Sequence, residues 1–258
     1  MTPSEPQRLD QLLITRGLFE SRSRARDAIQ RGTVMVNGAV VTKPGTLVSP
    51  SAELSVADPA QAYVSRAALK LVAALDHFDI DPAGQLCLDI GASTGGFTQV
   101  LLERNARHVI AVDVGHGQMH ERIANDPRVT NLEGLNARNL SEDDIDAQPV
   151  DLVVSDVSFI SLKLALPPAL TLARPGAFCA LLVKPQFEAG REAIGKGGLL
   201  RDPSTAPDVA EGLKIWLEQE MGWQALGLIP SPIAGGDGNQ EYLLAGRKPL
   251  ALSDKQDA

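Results

Sequence analysis

The stretch LCLDIGASTGGFTQVLL, residues 86–102, decides the architecture. It reads as a strand, a glycine-rich turn and the start of a helix. Gly91, Gly95 and Gly96 allow a tight turn and close approach of the backbone to a ligand, and open sheets bind their ligands at the C-terminal edges of such strands. Working outward, strand-like and helix-like segments alternate, as a doubly wound α/β sheet requires. Strands are expected near 86–90, 108–112, 128–132, 150–155, 178–183, 225–230 and 241–246, with helices near 96–104, 117–124, 160–173 and 204–221. The last two strands flank SPIAGGDGNQ, residues 231–240, which leaves no room for a helix, so they should pair antiparallel.

Upstream, YVSRAALKLVAALDHF reads as an amphipathic helix with Leu69, Val72, Ala73 and Phe78 on its apolar side. Before it, ADPAQA (57–62) has the composition of a linker. The division expected is therefore a small α+β domain over 1–56, the linker, a large α/β domain over 63–248, and a tail over 249–258. In the small domain Leu9, Leu12 and Leu13 recur at helical spacing. Ser21 then opens a second helix, striped by Ala25, Ala28 and Ile29 and stopped at Gly32. VMVNGAVV is next, a hairpin turned at Asn37-Gly38.

The chain of 258 residues carries a net charge of −8, which taken alone argues against nucleic-acid binding. The distribution says otherwise. Arg8, Arg16, Arg22, Arg24, Arg26, Arg31 and Lys43 face only Asp10, Glu20 and Asp27 in the same stretch, a local charge of +4. A basic module attached to an acidic body suggests contact with a polyanion, since cations on a rigid helix release counterions from a phosphate backbone. A merely solvated charged face is the competing reading. No apolar run approaches the ~18 residues of a membrane span, and MTPSEPQRLD lacks a signal-peptide core, so a cytoplasmic protein without membrane contact is expected. Cys87 and Cys179 lie inside apolar runs and read as buried thiols. His116 and His120 have no ligand set around them, so no metal is expected.

The chemistry turns on an oddity: the apolar run FCALLV ends in Lys184, where an ammonium needs a partner or a task. Asp156 ends VDLVVS in the same way. Glu241 opens the final strand, and Lys70 lies in the helix before the first. Asp113, ending the second strand, suits a ribose diol in many nucleotide sites, dehydrogenases included, so neither it nor the glycines decide the cofactor.

Three resemblances narrow this. RLDQLL, SRSRARDAIQRGTVMVNG and the later KPG resemble the S4-like RNA-binding domain over roughly 8–56. Asp89 followed by G-x-x-x-G, rather than G-x-G-x-x-G, resembles the first motif of S-adenosylmethionine-dependent methyltransferases and their Rossmann-like seven-stranded sheet. Lys70, Asp156, Lys184 and Glu241 resemble the tetrad of FtsJ-type ribose 2′-O-methyltransferases. With YVSRAALKL, DIGASTGGFT, SDVSFISL, VKPQFE and SPIAGGDGNQEYLL, the whole is similar to the TlyA, or haemolysin-A-like, family over about 8–247. Ala67 and Ala68 depart from the glycine pair expected before the first lysine, which stays in register.

The resemblance implies methyl transfer from S-adenosylmethionine to the 2′-hydroxyl of cytidine in ribosomal RNA, with naked RNA or ribosomal subunits as partner. A ribose hydroxyl is a weak nucleophile, so it needs proton removal or firm orientation. Lys184 is expected to meet it, Asp156 to orient Lys184, and Lys70 with Glu241 to hold the ribose. Asp89 and Gly91 should border the methionine end of the cofactor, with Ser93, Gly95, Gly96 and Phe97 on the same turn, Asp156 beside it, Asp113 at its ribose and Asn136 at its adenine. Exocyclic-amine methylation would call for an Asn or Asp followed by Pro-Pro and an aromatic where this chain has SDVSF, and cytosine C5 methylation would need a cysteine there. Two other classes compete: an RNA-binding assembly factor with a decayed enzyme body, and a lytic protein, for which no insertion segment is found.

Overall fold

The computed structural model describes residues 5–250, so the first four residues and positions 251–258 of the expected tail lie outside the described residues. The chain divides into two compact units between Ala62 and Tyr63.

In the first unit β1 (Gln7–Arg8) leads into α1 (Leu9–Thr15), and α2 (Arg22–Gln30) comes next. Ser21 caps α2 by accepting from the Arg24 amide at 3.3 Å, the role its hydroxyl suits. β2 (Val34–Val36) and β3 (Ala39–Val40) form the hairpin, turned by Asn37 and Gly38 with φ of 50° and 77°. β4 (Leu47–Val48) pairs with β1, and β5 (Leu54–Val56) pairs with β2. Leu9, Leu12, Leu13, Ala25, Ala28 and Ile29 form the core between the helices and these strands. Residues 57–62 are no free linker: both carboxylate oxygens of Asp58 accept from Arg31 at 2.8 Å, and Ala60 is buried.

The second unit opens with α3 (Ala68–Phe78). Its buried face is Ala68, Lys70, Leu71, Ala74 and Leu75. The expected stripe of Leu69, Val72, Ala73 and Phe78 is only half-buried; Val72, Ala73 and Phe78 pack at the rim of the core. The chain continues through β6 (Leu86–Ile90), α4 (Gly96–Glu103), β7 (His108–Asp113), α5 (Glu121–Ala124), β8 (Val129–Glu133) and β9 (Val150–Ser155). The helix expected over 117–124 is shortened to one turn because residues 114–120 form a loop, tied where the Gly117 amide donates to Glu133 at 2.6 Å. The helix expected over 160–173 is two, α6 (Leu162–Ala165) and α7 (Pro167–Leu172), because prolines suit only a first turn and Pro167-Pro168 begin a new one.

β10 (Ala173–Val183) starts five residues earlier than the apolar run suggests, with a bulge before Phe178. α8 (Pro185–Glu188), α9 (Ala206–Gln219), β11 (Gln224–Pro230) and β12 (Tyr242–Arg247) complete the unit. The sheet order is β11-β12-β10-β9-β6-β7-β8, parallel except that β12 runs antiparallel to both neighbours. This is the seven-stranded, doubly wound α/β sheet that the alternation predicts. The tips of β6, β9 and β10 therefore lie side by side at one edge, where strand order reverses and such sheets bind ligands. Among the described residues no helix is long and apolar enough to cross a membrane.

Candidate active site

Three of the four chemical side chains sit one residue off a strand end. Asp156 comes just after β9, Lys184 just after β10, and Glu241 immediately precedes β12 rather than opening it. Antiparallel pairing of Val183 with Tyr242 places Glu241 beside the Lys184 end of the sheet. Lys70 comes from the buried face of α3, and its Nζ lies 2.5 Å from Glu241 Oε2, both side chains nearly solvent-free. Lys184 Nζ lies 2.6 Å from Asp156 Oδ1, an ion contact rather than an aligned hydrogen bond, and donates to Ser158 Oγ at 2.7 Å. The two pairs form one cluster. Burial pushes the Glu241 carboxyl above its ordinary range, while Lys70 and Lys184 pull it down and Asp156 pushes it up again.

Two cavities open at this edge. A cleft of about 450 Å³ runs along the tips of β6 and β7, lined by Gly91, Asp113, Asn136 and the 156–160 segment among others. A smaller one of about 150 Å³ reaches Ser65, Ala67, Phe97 and Lys184. Gly91, Ser93, Asp156 and Ser158 line both, so the two cavities adjoin, and Lys184 lines the smaller one. Gly91 has φ of 84°, and a Cβ there would come within 2.9 Å of the Asp156 carbonyl, so only glycine permits this approach. Asp113 takes the Ser93 amide at 2.8 Å and the Gly115 amide at 2.7 Å, which fixes the turn and the carboxylate together.

Asp89, Gly95 and Gly96 line neither cavity. The two glycines serve packing: a Cβ on Gly95 would meet Ile123 at 3.0 Å and one on Gly96 would meet Ser65 at 2.8 Å. Asp89 is fully buried behind the turn. Its Oδ2 accepts from Thr98 Oγ1 at 2.7 Å, and its Oδ1 has no partner. Burial pushes this carboxyl up to about 7 despite the Thr98 hydrogen bond, with Asp156 and Asp113 adding to the rise. An orphaned buried acceptor of this kind holds unspent hydrogen-bonding capacity, and a cationic group near it would favour the ionised form. The Gly91–Ser93 turn thus suits the amino end of an aminoacyl nucleoside, with Asp89 behind the turn rather than in either cavity and Asp113 and Asn136 farther along the cleft.

That geometry sets a pH dependence. An unfolded aspartate titrates near ~4, so native Asp89 holds its proton more tightly; its stabilising contribution is complete below about pH 4 and is lost as pH rises through about 7. Thermal unfolding of the ligand-free protein should therefore show a midpoint falling across this window. Asp89→Asn should remove that part of the slope, and a slope identical in the two proteins would contradict the assignment.

Ser158 and Thr98 went unnoticed in the sequence; only the hydrogen bonds above single them out. In the first unit the basic residues divide. Asp10, fully buried, takes Arg8 and Arg22 at 3.0 Å. Arg31 pairs with Asp27 and Asp58, which commits it to the fold rather than to solvent. Arg24 donates to the Ala60 carbonyl at 3.0 Å, and Arg16 donates to that of Pro50. Arg16, Arg26 and Lys43 are exposed. Cys87 and Cys179 are buried, their thiols pushed up by desolvation. No cluster of metal-ligating side chains occurs among the described residues.

Residues 63–248 match the FtsJ-like methyltransferase family and residues 7–54 match the S4 domain. The chain is 48% identical to the 16S/23S rRNA (cytidine-2′-O)-methyltransferase TlyA of Mycobacterium tuberculosis, over 92% of this chain and 88% of that protein. It is 39% identical to Hemolysin A of Brachyspira hyodysenteriae over 92% of this chain and 98% of that one. A solved structure described as "Putative hemolysin from Streptococcus thermophilus" superposes with a TM-score of 0.73 at 39% identity, covering 95% of this chain and 89% of the other. A Rossmann-like sheet with a lysine, aspartate, lysine and glutamate at its ligand edge, together with these matches, shows that the chain belongs to the TlyA branch of the FtsJ-like methyltransferase family, with an S4 domain at its N-terminus.

Proposed function

We propose that the protein methylates the 2′-oxygen of cytidine in ribosomal RNA, using S-adenosylmethionine, with Lys70, Asp156, Lys184 and Glu241 as the catalytic cluster. The observation that carries this reading is the convergence of two ion pairs from four distant parts of the chain: Lys184–Asp156 lines the small cavity beside a nucleoside-sized cleft, and Lys70–Glu241 lies buried behind it, lining neither cavity. When bound, S-adenosylmethionine supplies a methyl group on positively charged sulfur, open to attack by an oxygen. The protein's part is to aim that oxygen and remove its proton. Lys184, anchored by Asp156 and Ser158, meets the 2′-hydroxyl; the anchoring holds the amine in place beside the small cavity. Lys70 and Glu241 brace the other side and hold the ribose against it. Asp89, Gly91, Ser93, Asp113, Asn136 and Asp156 support cofactor binding, Gly95, Gly96 and Phe97 by shaping the turn.

The S4 unit supports docking on RNA through its exposed cations, Arg16, Arg26 and Lys43, and through the solvent-facing edges of Arg8, Arg22 and Arg24. Arg31 contributes there by fixing the unit's shape. Because the body is acidic, this unit should supply most of the docking, and affinity that rests on its cations should fall steeply with salt. Purified protein, labelled S-adenosylmethionine and ribosomal RNA, free or in isolated subunits, test the proposal together. Transfer of label to RNA is expected. Binding of the cofactor with no transfer to either subunit or its RNA would overturn it in favour of an RNA-binding assembly factor.

A further inference from the structure

The segment 156–161, which carries Asp156 and Ser158 and walls the cleft, contains no helix or strand. Phe159 within it holds φ of 66°, a left-handed conformation that is strained for a bulky aromatic, and the residue is 91% exposed, so the backbone on either side of it must supply the restraint. The next element, α6, is a single turn too short to hold itself. The restraint comes from the segment that follows the neighbouring strand β10, at three rungs, each farther along both segments, of which the exposed Phe159 ring makes the loosest. Lys184 meets Asp156 and Ser158 at 2.6 and 2.7 Å, and the Phe187 ring meets Phe159 with centroids 5.1 Å apart. At the third rung Glu188 accepts from Ser161 Oγ at 2.5 Å and from the Leu162 amide at 2.8 Å.

Glu188 differs from the Lys184 rung in that it lines neither cavity. Burial pushes its carboxyl above the usual range, and the bonds to Ser161 and Leu162 oppose this. A half-buried acid with both oxygens spent on one neighbouring loop points to a restraint on that loop. Resting on the methyltransferase reading above, we infer that Glu188 is a positioning residue: it locks the 156–161 wall to the helix that begins after Lys184 and so sets the distance between Ser158, Lys184 and the bound cofactor.

Glu188→Ala should weaken S-adenosylmethionine binding, read by calorimetry, and lower kcat, each by between about 10- and 100-fold, while KM for RNA changes little. Glu188→Gln should recover most of both, because the amide oxygen still accepts from Leu162 and its NH2 donates to Ser161. Loss of thermal stability alone, with cofactor affinity and kcat within about twofold of wild type, would overturn the inference and leave Glu188 a helix cap. Should Glu188→Ala not fold, Ser161→Ala removes one arm of the restraint and decides on the same two readouts. Wild-type protein that binds no S-adenosylmethionine would sink the methyltransferase reading and this inference with it. A normal wild type beside an unimpaired Glu188→Ala would sink this inference alone.

Discussion

Lys184→Ala should lower single-turnover methylation of ribosomal RNA by about 10²–10⁴-fold, the range associated with losing a positioned proton-transfer group. Lys184 is the member of the cluster that lines the small cavity together with Asp156 and Ser158, so the truncation empties the point where the hydroxyl must sit. Cofactor affinity should change far less, because the larger cleft is lined without Lys184. The fold should survive: Asp156 keeps partial access to solvent, its side chain being 17% exposed, so losing the lysine does not strand a charge in a dry interior. Methylation at a near-normal rate in the variant would remove Lys184 from the chemistry.

A second large effect concerns the other pair. Lys70 and Glu241 are 5% and 2% exposed, so Glu241→Ala leaves an ammonium group buried without compensation, at a cost of about 3–5 kcal/mol. For a unit of this size that lowers the thermal midpoint by about 10 °C. Activity should fall as well, which alone would not separate a structural from a functional role. The double variant Lys70→Met with Glu241→Leu does separate them. Replacing both charges by apolar groups of similar volume relieves the stranded charge and should restore most of the stability. Methylation should stay at least about 100-fold down, because no group remains to hold the ribose from that side. Differential scanning calorimetry and the methylation assay, run on the same preparations, check the two halves. Recovery of activity along with stability would mean that the pair only packs.

The tips of β9 and β10 were legible because an apolar run that stops at a charge marks the end of a buried strand. Asp156 and Lys184 stand out on that ground alone. The burial of Lys70 on α3 does not. Ala68, Leu71, Ala74 and Leu75 form a second apolar stripe beside the expected one, and the lysine among them can be buried because a carboxylate 171 residues away meets it, which no local pattern shows. Ser158, Thr98 and Glu188 lie inside the motifs SDVSFISL, DIGASTGGFT and VKPQFE, but their roles do not show there for a related reason: each acts through hydrogen bonds across loops whose paths no local pattern encodes. Gly95 and Gly96 read as ligand-facing because a glycine-rich turn has one appearance in sequence, whether it clears space for a cofactor or for Ile123 and Ser65. In the first unit the charge count finds the basic module, but it does not show that Arg31 is spent on Asp27 and Asp58.

The position of the transferred methyl tests the central claim most directly. Alkali cleaves RNA through attack of each 2′-oxygen on its own 3′-phosphate, and a methyl ether at that oxygen blocks the cut. Ribosomal RNA labelled by this protein should, after complete alkaline hydrolysis, carry its label in resistant dinucleotides that begin with cytidine. Label released in mononucleotides would place the methyl on a base, and the cluster of two amines and two carboxylates would need another explanation.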